Sequence, residues 1–163
     1  MRVLAESADV AKVTACLSNG WEFLSGESRL FDRVYDVALA PQLAEFCYFM
    51  PLSELGKAAV GGVAVFIELP DANTIAAHMF GESPPDLHIN NLNDACSEAC
   101  NVLAMCVTLN LATEVDVDIG LPFRADSVVF DQICSTCEPI AIYKCNTLAG
   151  QIFVIAYDIA NQS

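Results

Sequence analysis

Three residues on one stretch have the types and spacing for polar chemistry: Asp94, Glu98 and Asn101. Glu98 and Asn101 stand three apart, so on a helix they sit roughly 60° from each other around the axis and one turn apart along it. A carboxylate and a side-chain amide then point the same way out of a rigid element, where precise sites are best built. Such a pair offers positioning. An amide can hold a water molecule without acting as a base, and a carboxylate can pair with a cation. The plainer alternative is that these residues are simply solvated, as most charged and amide side chains on the outer side of an amphipathic helix are.

The element that must position them is Asn90 to Ala112, NNLNDACSEACNVLAMCVTLNLA. At about 100° per residue, Leu92, Cys96, Ala99, Leu103, Cys106 and Val107 fall on one side, with Cys100 beside them, flanked by Ala95, Val102 and Leu109. That is the wide apolar stripe of a helix packed on a core. Asp94, Ser97, Glu98, Asn101 and Thr108 take the other side, with Met105 among them.

Asp94-x-x-x-Glu98-x-x-Asn101, followed at a distance by Pro122, resembles the signature of the CheX/CheC/FliY family of chemotaxis phosphatases. The family pattern is an acidic residue or Ser, then Glu, then Asn, then a distant Pro. The likeness extends upstream, where Gly61 to Leu69 and a helix ending at Ala77-His-Met-Phe-Gly81 look like the strand and short helix before the family's long helix. It spans about residues 57 to 158, and the single E-x-x-N is more similar to CheX than to the two-site CheC. Two departures stand out. Met105 occupies the position four after the signature Asn where the family usually has Gly, and the interval from Asn101 to Pro122 is slightly short.

The resemblance implies hydrolysis of the aspartyl phosphate of a phosphorylated CheY-like response regulator. Asn101 would orient the attacking water, and Glu98 would pair with the receiver's active-site Lys. Asp94 would support the docking face, and Pro122 would shape the adjacent loop. Met105 would either obstruct the receiver or serve as an adaptable contact. The chain would need no cofactor or metal of its own, because the Mg²⁺ belongs to the receiver. A homodimer is implied by the likeness to CheX. The alternative function is a non-catalytic receiver-binding module of the same fold in chemotaxis or two-component signalling.

At 163 residues the chain is expected to be one domain with a sizeable core. A hydrophobic content of 55% argues against disorder. The most apolar run, Ala58 to Leu69, is shorter than the roughly 18 residues a membrane span needs. The opening MRVLAESADV meets Glu6 and Asp9 at once and lacks the apolar run of a signal peptide, so a cytoplasmic protein is expected. A net charge of −14 disfavours nucleic acid and anionic membranes, which need a basic patch.

Eight cysteines without an export signal fit a reducing compartment and free thiols. Cys134-Ser-Thr-Cys137 is the one C-x-x-C, half a zinc site with no His or second pair near it in sequence, so redox or metal chemistry there is the weaker reading. His78 and His88 have no acid, Ser or Cys at a recognisable spacing and fit surface or packing roles.

The remaining pattern predicts a helix over residues 6 to 24, with Ser7 as its cap and Asn19-Gly20 ending or bending it. Residues 25 to 42 are unassigned. Strands are expected at Leu43–Pro51, Val60–Leu69, Thr113–Ile119, Val128–Ile133, Pro139–Cys145 and Gln151–Ile159. A turn is expected at Leu55-Gly56-Lys57, a short helix from Pro70-Asp71 to Phe80 with Asp71 as cap, and a loop over Glu82 to Asn90. The fold class is α+β: an antiparallel-rich sheet of about six strands with helices packed on it, similar to CheC and CheX.

Overall fold

In the computed structural model, residues 9–54, 59–81, 83, 88–110 and 117–159 are described. Helix α1 is Val10–Ser25, followed by strand β1 (Phe31–Val34), a 3₁₀ turn (Val37–Leu39), β2 (Phe46–Glu54) and β3 (Ala59–Ile67). Then come α2 (Leu69–Phe80), α3 (Ile89–Asn110), β4 (Val117–Ile119), β5 (Phe123–Arg124), α4 (Ser127–Thr136), β6 (Cys137–Asn146) and β7 (Gln151–Ile159). The strands form one antiparallel sheet in the order β1-β6-β7-β3-β2-β4, with β5 also paired to β2. This is the expected α+β class, helices packed on an antiparallel sheet.

Both faces of the sheet are covered, which is why its central strands read as nearly continuous apolar runs. On β2, Phe46, Tyr48, Met50 and Leu52 face a large core shared with α1, α2 and α3, while Cys47 and Phe49 face a smaller one under α4. On β3, Val63, Val65 and Ile67 take the first side, and Ala64 and Phe66 the second. These are the two alternating faces that a period of two requires.

Several expectations need correction. Val128–Ile133 lies within α4 rather than in a strand. The β-branched and aromatic residues there suit a strand by composition, but the Asp126 carboxylate caps a helix by accepting from the Val129 amide at 2.9 Å. Phe130 then packs edge-on against Phe66 at 5.6 Å between centroids. The C-x-x-C therefore sits at the end of a helix, not between two strands.

The unassigned stretch contains β1, and the turn after β4 contains β5. Asn19-Gly20 does not end α1, which runs on to a left-handed cap at Gly26 (φ 76°). Gly20 instead packs directly against α3: a Cβ there would lie 3.3 Å from both Leu103 and Val102. Asp9 is the α1 cap, with Ser7 outside the described residues. Helix α2 starts at Leu69 with Glu68 at its N-cap, so Asp71 is a buried first-turn residue rather than the cap. The expected turn at Leu55-Gly56-Lys57, the strand start Thr113–Asp116, the Pro-containing loop 84–87 and the helix end at Leu111-Ala112 lie outside the described residues.

Candidate functional site

α3 is held along its whole length. Nine of its residues are buried: Leu92, Ala95, Cys96, Ala99, Cys100, Leu103, Ala104, Cys106 and Val107. This is the stripe the sequence predicts, with Cys100 on the apolar side beside Cys96 and Cys106 as expected, and widened by Ala104; Leu109, expected to flank it, is exposed. The small residues matter because they let α3 lie close to the sheet and to α1, where Gly20 meets it.

A polar anchor fixes the N-terminal half. The Tyr48 hydroxyl donates to Asn93 Oδ1 at 2.9 Å, and Arg124 Nη1 donates to the same oxygen at 3.2 Å. Arg124 Nη2 donates to the Glu45 carbonyl at 3.0 Å, and its guanidinium lies 4.8 Å over the Phe46 ring. Burial pushes the Tyr48 hydroxyl up to about 12, against the opposing pull of Arg124, so it stays a proton donor at neutral pH. Asn93 was not expected as a site-supporting residue. Its partners come from distant parts of the chain, and no local spacing points to them.

On this rod Asp94, Glu98 and Asn101 are all exposed, as the periodicity predicts. Met105 is half-buried and packs against the large core, so it is drawn partly under the outer side of α3 instead of standing clear of it. Pro122 is half-buried between β4 and β5, and the bond from this region to α3 runs through Arg124 to Asn93.

Asp94 and Glu98 share a cleft of about 510 Å³ whose other walls are Phe23, Leu24, His78 and Met79. Asn101, Met105 and Pro122 do not line it. His78 belongs to the last turn of α2 and packs against Gly26, where a Cβ would lie 3.0 Å from its Nδ1. It thus has the packing role expected of it, on the wall of a cleft the sequence does not reveal. His88 is exposed.

The thiols are quiet. Burial pushes Cys96 up to about 12 and Cys100 higher still. Cys134 and Cys137, beside a second cleft of about 340 Å³ that Tyr157 also lines, are likewise raised, first by burial and then by neighbouring acids and thiols. The thiolate is the reactive form, so this pair is poorly suited to redox or nucleophilic work at neutral pH. Among the described residues no group of three or more His, Cys, Asp or Glu side chains could hold a metal ion. Among them, too, no helix is long and apolar enough to cross a membrane.

The arrangement lacks an activated nucleophile of its own. It offers a carboxylate and an amide on a fixed axis, able to pair with a cation and orient a water on a molecule brought to them.

No protein-family model and no curated protein matches this chain by sequence. Solved structures match by shape. Chemotaxis protein CheX from Vibrio vulnificus is 15% identical, with a TM-score of 0.63 over 94% of this chain and 99% of that one. A CheX-CheY-BeF₃-Mg²⁺ complex from Borrelia burgdorferi gives 13% identity and a TM-score of 0.65 over 94% and 99%. A CheC-like superfamily protein from Shewanella sp. PV-4 gives 14% and 0.59 over 91% and 96%. The chain has the CheX/CheC fold over nearly its whole length.

Proposed function

We propose that this chain is a phosphatase that hydrolyses the aspartyl phosphate of a CheY-type response regulator. The observation that carries the reading is the placement of Glu98 and Asn101. Both are exposed, one turn apart, on a helix buried along its other side, in a chain with the fold of CheX. One of the structural relatives is a CheX bound to CheY, which supports a receiver as the molecule brought to the helix.

An aspartyl phosphate is a reactive acyl phosphate, and the receiver carries the Mg²⁺ and Lys that neutralise it. What the docked protein must add is a water in line with the leaving carboxylate. The Asn101 amide holds that water. The water's oxygen bonds to phosphorus as the bond to the aspartyl oxygen breaks. The aspartate leaves as a carboxylate, and the water's proton passes to the released phosphate and solvent. Glu98 pairs with the receiver Lys and fixes the docked register. Asp94 adds negative potential to the face. The Asn93–Tyr48–Arg124 anchor keeps the helix from yielding when the receiver presses on it.

The test is loss of phosphate from a phosphorylated CheY-type receiver with and without this protein. Acceleration is expected, and Glu98→Ala should raise KM with little change in melting temperature. A receiver that loses phosphate at its intrinsic rate in the presence of the folded protein would refute the reading.

A second reading, a receiver-binding module without hydrolysis, is favoured by Met105, which fills the position where the family usually has Gly. Its half-buried packing eases the obstruction without removing it. Met105→Gly separates the two: faster turnover marks the Met as an obstruction, and weakened binding alone supports the module. A homodimer belongs to the same proposal. The β6 edge beyond Val34 is a poor place for its strand pairing, because Arg33 Nη2 already donates to the Ile140 carbonyl at 3.2 Å.

A further inference from the structure

The cleft beside Glu98 is built at the ends of two helices. Phe23 and Leu24 belong to the last turn of α1, which closes at Gly26, and His78 and Met79 to the last turn of α2, which closes at Gly81. Helix C-termini carry partial negative charge. Asp94 and Glu98 on α3 complete the rim. Every fixed charge lining the cleft is therefore negative, and the one titratable base there is His78.

Its walls are apolar and open. Phe23 is 72% exposed and Met79 39%, whereas Leu24 forms a buried floor at 1%. An aromatic ring left this exposed beside two carboxylates suits a long cationic side chain. The alkyl stem of such a side chain would lie along Met79 and Phe23 with its charge against Asp94, and the ring face would add a cation–π attraction. The cleft shares Asp94 and Glu98 with the face over which a receiver would sit, so a partner docked at Asn101 overhangs it.

We infer that this cleft is a second anchoring point for the receiver, taking an arginine or lysine that flanks its phosphorylation site. It is distinct from the active-site Lys that pairs with Glu98. Phe23, Met79 and Asp94 hold this side chain and determine which receivers bind; they do not touch the reacting atoms. The inference rests on the receiver reading above. The charge pattern selects the occupant: an acidic segment would be repelled, and a purely apolar one would leave Asp94 desolvated against it.

The test uses the whole chain and a CheY-type receiver loaded with Mg²⁺ and beryllofluoride, so that binding is read without hydrolysis. Phe23 is exposed enough that Phe23→Ala should melt with wild type. Its Kd should rise about tenfold, the factor that a desolvated cation–π contact supports. Asp94→Asn should weaken binding and flatten its salt dependence. With phosphorylated receiver both variants should raise KM and leave kcat near wild type. Replacing the flanking basic residue of the receiver with Gln should abolish the difference between Phe23→Ala and wild type.

Wild-type affinity in Phe23→Ala would overturn the inference whatever Asp94→Asn does, and would leave the phosphatase reading standing, because Asp94 also serves the docking face at large. So would weakening by Phe23→Ala with Asp94→Asn unaffected, because the occupant would then be apolar. If wild type neither binds the loaded receiver nor speeds hydrolysis, both readings fall together.

Discussion

Helices α3 and α4 lie on opposite faces of one sheet and carry the chain's two candidate motifs, E-x-x-N and C-x-x-C. α3 runs 22 residues and buries nine of them; α4 runs 10 and buries only Phe130. α3 is also held from outside its own stripe, by Tyr48 and Arg124 on Asn93 and by the close approach of α1 at Gly20. The contrast teaches where positioning chemistry can reside. A site that must hold a water in line with a bond needs a rod that does not yield. Cys134 sits in the last turn of that lightly buried helix and Cys137 opens β6, both with thiols kept protonated, which suits packing better than reaction.

The largest expected effect that sharpens this contrast is in the cores. Leu103→Ala, on the fully buried side of α3, should cost about 2–5 kcal/mol in denaturant unfolding. Val128→Ala, on the exposed side of α4, should stay within about 0.5 kcal/mol of wild type. Equal losses would break the comparison. Next comes the anchor. Tyr48→Phe removes the hydroxyl that donates to Asn93 and should cost about 1 kcal/mol in the same measurement, with Arg124 still satisfying the amide oxygen.

The smallest effect concerns a buried carboxyl on α2. Asp71 is 1% exposed, and its pKa is raised above 3.8, first by burial and against a bond from Thr147. A carboxyl whose folded pKa lies above its unfolded value contributes stability that is full below the unfolded pKa and is lost as pH rises through the folded one. Asp71→Asn should therefore melt above wild type at pH 7, and the gap should close as pH falls below about 4. A constant gap across that range would assign the effect to packing instead of ionisation.

The part of the molecule that was legible in the sequence is the part with long periodicity. The inner and outer sides of α3 follow from its spacing, and Asp94, Glu98 and Asn101 are exposed as expected. β2, β3, β6 and β7 follow from apolar runs bounded by Gly and Pro. What was not legible depends on distant partners or very short segments. β1 has four residues and β5 two, too few for a period to emerge. α4 misleads because Val128, Val129, Phe130 and Ile133 have strand-like side chains, and the decisive features are a cap at Asp126 and a stacking partner at Phe66. Gly20 looks like a helix stop when only α1 is considered, and becomes a contact once α3 lies against it. The cleft beside Glu98 joins residues from three helices, and no local pattern announces it.

The most direct test of the central claim is the rate at which Asn101→Ala removes phosphate from a CheY-type receiver at saturating receiver concentration. If the amide places the water, kcat should fall about a hundredfold, while affinity for the beryllofluoride-loaded receiver and melting temperature stay at wild type. A variant that turns over like wild type would contradict it.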